Sequence, residues 1–112
     1  MERTVGFDVE DKHYTLKFDF NAVCDIERVM GVGITTMMTG ERIGMDTIRG
    51  VIWGGLKWKL PGFTIQASGN LIQKYMQLGG NLDKLANDAI KLLAESIGGK
   101  EKAEDTDEAV GE

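Results

Sequence analysis

The sequence predicts an α+β fold in which an N-terminal antiparallel β-hairpin packs against about four short α-helices. Three observations predict it: apolar residues alternate with period two over the first eighteen positions, apolar stripes at three-and-four spacing follow behind good helix caps, and hydrophobicity collapses after residue 97. The chain has 112 residues, with 42% apolar and 28% charged side chains, which suits one hydrophobic core and one domain. That domain is expected over residues 1–97, followed by an acidic disordered tail over residues 98–112.

The hairpin is read from Val5, Phe7 and Val9, which alternate with Thr4, Gly6 and Asp8, and from Tyr14, Leu16 and Phe18, which alternate with Thr15, Lys17 and Asp19. The polar run Glu10-Asp11-Lys12-His13 is the expected turn. A hairpin with one apolar face is not stable by itself, so helices must cover it. The first helix is expected to start at an Asn21 cap and to stop at Gly31, with Ala22, Val23, Ile26, Val29 and Met30 as its apolar stripe. Residues 31–45 contain four glycines and no sustained periodicity, and are read as a loop; loops of that length are often functional.

Asp46 is the expected cap of a second helix over residues 47–57, with Ile48, Val51, Ile52 and Leu56 on one face. Gly50, Gly54 and Gly55 each cost it roughly 1 kcal/mol relative to alanine, which predicts that another part of the chain approaches closely there. Pro61-Gly62 forces a turn. Thr64 then caps a third helix to Leu78, in which Ile65, Ser68, Ile72, Tyr75 and Met76 share a side that Leu71 and Leu78 widen. After Gly79-Gly80, Asn81 opens a fourth helix whose Leu82, Leu85, Ala86, Ala89, Leu92, Leu93 and Ile97 form the cleanest stripe in the chain. The last fifteen residues hold six acids and two lysines, most of the chain's formal charge of −5. Such a segment cannot bury enough surface to offset the entropy of ordering.

The pI near 4.9 and the absence of a basic cluster argue against a nucleic-acid partner, since phosphate binding needs clustered Lys and Arg. Residues 1–9 have no apolar run of the kind that exports or anchors a protein, so neither secretion nor membrane insertion is expected. Catalysis by general acid-base or nucleophilic routes needs a base and a nucleophile brought together. His13 is the single histidine and falls in the expected turn; Cys24 is the single cysteine and has Asp25 beside it, which raises a thiol pKa. Asp8, Glu10 and Asp11 lack the spacing of a calcium loop, and no phosphate-cradling glycine motif occurs. No enzyme activity, metal or cofactor is expected.

What remains is an excess of large apolar side chains: Met37, Met38, Met45, Trp53, Leu56, Trp58, Leu60 and Phe63. Methionine is adaptable and tryptophan offers large rigid area, and surfaces that accept apolar partners use both. These residues are the expected partner-binding set. Ordinary core packing is the alternative for each, above all for Trp53, which lies in a helix apolar nearly all round.

The order of these signals carries a resemblance. The run Leu16-Lys17-Phe18-Asp19-Phe20-Asn21-Ala22-Val23-Cys24-Asp25-Ile26-Glu27 precedes Ile48-Arg49-Gly50-Val51-Ile52-Trp53-Gly54-Gly55-Leu56, with a glycine-rich loop between them and a Thr64-led helix after. From Tyr14 to Leu78 the chain resembles the tail assembly chaperones of long-tailed phages and the related gene-transfer-agent proteins. It departs from them after Thr64, where family members often carry acids and this chain has Ile65-Gln66-Ala67-Ser68. The resemblance implies a factor of the host bacterial cytoplasm, absent from the mature virion, that binds the tape measure protein and keeps it soluble during tail tube assembly. The tail tube protein and further copies of the chain are possible partners under that reading, and a longer frameshifted product can replace the acidic end. A virion structural or head-tail adaptor protein is the alternative.

Overall fold

The computed structural model describes residues 4–31, 33, 34, 36 and 44–97. Among them the chain runs through β1 (Val5–Val9), β2 (Lys12–Leu16), α1 (Phe20–Met30), α2 (Met45–Leu56), α3 (Ile65–Gln77) and α4 (Leu82–Ser96). This is the expected α+β fold with its N-terminal antiparallel hairpin. The acidic segment 98–112 lies outside the described residues.

The strands pair in unbroken register from Val5 opposite Leu16 to Val9 opposite Lys12. Only Glu10 and Asp11 make the turn, so Lys12 and His13, expected in it, belong to β2. Two residues suffice because Glu10 takes the left-handed conformation at φ 60, which reverses the chain tightly. Phe7, Val9 and Leu16 are buried on the inner face, and Phe7 stacks on Tyr14 at 5.5 Å and meets the Tyr75 ring edge-on at 5.6 Å. Phe18 lies beyond the end of β2 yet is also buried.

Helix α1 begins earlier than an Asn21 cap predicts. Asp19 is extended, at φ −116 and ψ −179, and its Oδ1 accepts the Ala22 N–H at 2.8 Å, making it the cap. The helix stops as expected at Gly31, whose φ of 78 lets its N–H reach the Glu27 carbonyl. Within the stretch 31–45 expected as a loop, Ile34 and Thr36 are helical; Ile34 is buried, and its N–H is held by Glu27 Oε2 at 2.8 Å. Helix α2 starts at Met45 behind Gly44, so Asp46 is a first-turn residue that pairs with Arg49 at 2.7 Å rather than the cap.

Helix α2 is the centre of the fold and packs against β2, α1, α3 and α4. Its glycines make that possible. A Cβ on Gly54 would lie 2.4 Å from Ile26 Cγ1 of α1, and one on Gly55 would lie 2.8 Å from Leu16 Cδ2 and 2.9 Å from Phe18 Cζ. The close approach expected from the glycines is therefore present, and contact across it offsets their propensity cost.

Thr64 caps α3 by accepting the Ala67 N–H at 3.0 Å, and Asn81 caps α4 by accepting the Lys84 N–H at 3.1 Å, both as expected. Ser68 is fully buried where α3 crosses α2, and its hydroxyl donates to the Arg49 carbonyl at 2.9 Å. Met76 and Leu78, expected on the packed side of α3, are exposed. The last turn of α3 runs past the core toward the hairpin turn, where Lys74 pairs with Glu10 at 2.9 Å. On α4, Leu85, Ala86, Ala89, Leu92 and Leu93 are buried as their spacing predicts, while Ile97 is exposed. No helix among the described residues is long and apolar enough to cross a membrane.

Candidate interaction site

The expected partner-binding residues separate into groups. Trp53 is 8% exposed and Leu56 1%, and both are part of the hydrophobic core. They bind the fold together instead of lining an open surface, because α2 is enclosed by its neighbours. The Trp53 indole Nε1–H donates to the Phe63 carbonyl at 2.9 Å, which fastens the turn after α2 onto the helix. Leu60 and Phe63 are half-buried against the same core. Met45 is 71% exposed at the start of α2, and at 1.5 Å rise per residue it stands roughly 20 Å from Trp58. Met37 and Met38 lie outside the described residues. The described members of the set do not form a single patch.

Trp58 is the member that is both exposed, at 46%, and held in place. Its Nε1–H donates to the Thr15 carbonyl on the outer edge of β2 at 3.1 Å. The Lys17 ammonium lies 5.0 Å and the Lys59 ammonium 5.8 Å from its ring centroid, within cation–π range. One hydrogen bond and two lysine ammoniums thus fix an indole whose remaining surface meets solvent.

Beside it opens a cleft of about 200 Å³, lined by Trp58, Lys17, Asp19, Ala22, Asp25 and Lys57 among others. It forms because the chain leaving β2 is tied to the C-terminal end of α2 by a 2.9 Å bond from Lys17 N–H to the Gly55 carbonyl, while α1 starts immediately afterwards. Asp25 accepts hydrogen bonds from Lys57 and Arg28, and the Lys57 ammonium chiefly holds its carboxyl below the ordinary aspartate range, against the opposing effect of burial. Lys57 also stands 4.7 Å from the Trp53 ring centroid, so one lysine links the core indole to the cleft floor.

Phe20, which the sequence reading passed over, is 78% exposed at the first position of α1. Its chain neighbours Asp19 and Asn21 line the cleft. The signal was available in the choice of cap. With Asn21 as cap, Phe20 continues the alternation of Leu16 and Phe18; with Asp19 as cap, it turns outward on the first helical turn.

His13 is exposed on β2, its Nδ1 2.7 Å from Asp8 Oδ1, and Cys24 is half-buried on α1. Among the described residues no group of three or more His, Cys, Asp or Glu side chains is placed to hold a metal ion. Comparison with protein-family models, with curated proteins and with solved structures finds no match.

Proposed function

We propose that this chain is a non-enzymatic phage tail assembly chaperone that binds the tape measure protein and keeps it soluble while the tail tube assembles. The motif resemblance from Tyr14 to Leu78 supports the identity. The observation that carries the mechanism is the fixed, exposed Trp58, with Phe20 exposed on the neighbouring helix turn.

A long helical client with apolar stretches aggregates unless those stretches are covered. Covering them needs apolar area that is already ordered, so that little entropy is lost on binding. Trp58 meets that need, since its hydrogen bond to Thr15 and the flanking lysines hold the ring before any partner arrives. Burial of one large apolar side chain contributes about 1.5–3 kcal/mol, so two or three contacts per copy give weak binding that the polymerising tube can displace. No nucleotide-driven release step is needed. The proposed setting is the host bacterial cytoplasm, with the chaperone left out of the mature virion.

Co-expression with tape measure fragments tests this. A fragment should be soluble and co-purify with the wild-type chain, and should become insoluble with a Trp58→Ala, Phe20→Ser variant that keeps its helical circular dichroism. Solubility independent of the chain sinks the proposal, and capture of a head or neck protein in place of the fragment assigns the chain to the adaptors.

A further inference from the structure

Charge is spread unevenly along this chain. Residues 47–82 hold four bases and no acid, whereas residues 101–108 hold five acids and one lysine. Folding gives several of the bases one carboxylate each: Arg49 pairs with Asp46, Lys74 with Glu10 and Lys84 with Asp88. Lys12 and Lys91 stand singly, each near acids of its own segment, Glu10 and Asp11 in one case, Asp88 and Glu95 in the other.

The rim of the Trp58 cleft is different. Lys57 and Arg28 share a single carboxylate, Asp25, and Lys59 lies over the Trp58 ring with no carboxylate in ion-pair contact among the described residues. The cleft's other acid, Asp19, caps α1, where the helix N-terminus offsets its charge. Two positive charges are thus left over around an exposed, fixed indole, on a chain whose net charge is −5. A segment that complements them carries closely spaced carboxylates, and residues 101–108 are the densest eight-residue run of acids in the sequence.

We propose that the acidic stretch 101–108 docks in its own chain on this basic rim, beside Trp58. The chain is long enough: the eleven residues from Ile97 to Glu108 span up to about 36 Å when extended, more than the molecule's two shorter extents of 29 and 28 Å. It also sets out from the right end. Tyr75 late in α3 and Leu85 early in α4 line one hollow, so α4 runs back along α3 toward the end where α3, and the Trp58 turn before it, begins. A tether this short holds the acids at an effective concentration on the order of millimolar, so exposed ion pairs too weak to retain a free peptide give partial occupancy here. An acidic segment of another protein has to compete with that concentration. The docking does not depend on the chaperone reading; its consequence rests on that reading, since a client that reaches Trp58 has to displace the acidic stretch.

The test compares the isotope-labelled full chain with a variant carrying Glu101→Gln, Glu104→Gln, Asp105→Asn, Asp107→Asn and Glu108→Gln. The core runs from Phe7 to Leu93, so these substitutions leave it intact. In low-salt NMR spectra the Trp58 indole N–H and the Lys59 amide should differ between the two chains, while the buried Trp53 indole N–H should not. Salt at about 0.5 M should bring the wild-type signals to the variant positions. In the reverse direction, Lys59→Glu should move the amides of residues 101–108. For the consequence, the neutralised variant should hold a tape measure fragment about twofold more tightly, as release of a half-occupied site requires. Identical Trp58 and Lys59 signals in the two chains overturn the proposal and leave the chaperone reading standing; a fragment that neither chain binds sinks that reading and leaves the docking. Equal shifts around Lys12 and Lys91, or shifts that grow with protein concentration, also overturn it, the first as unspecific attraction and the second as contact between copies.

Discussion

Trp53 and Trp58 stand one helical turn and a half apart in the sequence, and their polar surroundings are alike. Each indole donates to a backbone carbonyl and each has a lysine ammonium near its ring. Yet one is 8% and the other 46% exposed. Polar partners do not account for the difference. Trp53 belongs to a helix enclosed by β2, α1, α3 and α4, whereas the chain past Leu56 has left the core and lies on its surface. In this fold an apolar residue's role is set by what packs over it, and the Gly54 and Gly55 contacts set how closely α2 is covered.

Substitutions can break this contrast. The largest effect is expected for Trp53→Ala, which empties a core position and strands the Phe63 carbonyl; a loss of about 3–5 kcal/mol should appear in chemical denaturation. Next comes Gly54→Ala. Its Cβ overlaps Ile26, so a loss of about 1–3 kcal/mol is expected, and Ile26→Ala should recover part of it in the double variant because the two effects share one contact. Trp58→Ala should cost only about 1 kcal/mol, for one hydrogen bond and partial burial, with the helical spectrum unchanged.

Fluorescence sharpens the same contrast without perturbing the core. Trp58 emission, isolated in a Trp53→Phe variant, should be quenched strongly by iodide, which Lys17 and Lys59 attract. Trp53 emission, isolated in a Trp58→Phe variant, should be nearly insensitive; equal quenching of the two would refute the packing described.

The smallest expected effect concerns Asp25, whose carboxyl is held low mainly by Lys57 and also by Arg28. A carboxyl with a depressed folded pKa contributes stability above its unfolded value, about 3.9, and that contribution is lost as pH falls through the folded pKa. Asp25→Asn should therefore lower stability between pH 5 and 7, by about 1 kcal/mol or less for a partly exposed pair, and the gap to wild type should close in strong acid. A gap that persists at low pH would mean that the carboxylate charge is not the cause.

Much of the architecture was legible in the residues. Thr64 and Asn81 were readable as caps because each is followed directly by a clean apolar stripe. The start of α1 was less so: Asp19 and Asn21 are both good capping residues, and choosing between them needs the backbone conformation at position 19. The turn was misplaced because a left-handed Glu10 has no sequence marker of the kind an Asn-Gly pair provides. Met76 and Leu78 continue a valid helical stripe, but that stripe outruns the core. For the interaction site, composition pointed to the whole stretch from Met37 to Phe63; it favoured core packing for Trp53, yet kept Trp53, Leu56 and Trp58 in one set, since an apolar residue in an all-apolar helix carries no mark of which side is covered.

The sequence by itself determined the elements and their order, because period, caps and glycine stops act over a few residues and need no distant partner. It also determined that α2 must be closely packed, since glycines in a helix interior cost stability that contact has to offset. Only the tertiary structure decided which surfaces stay open: that Trp53 is sealed and Trp58 is not, and that Phe20 turns outward. Those outcomes depend on which helices reach a given face, and that is set by long-range packing.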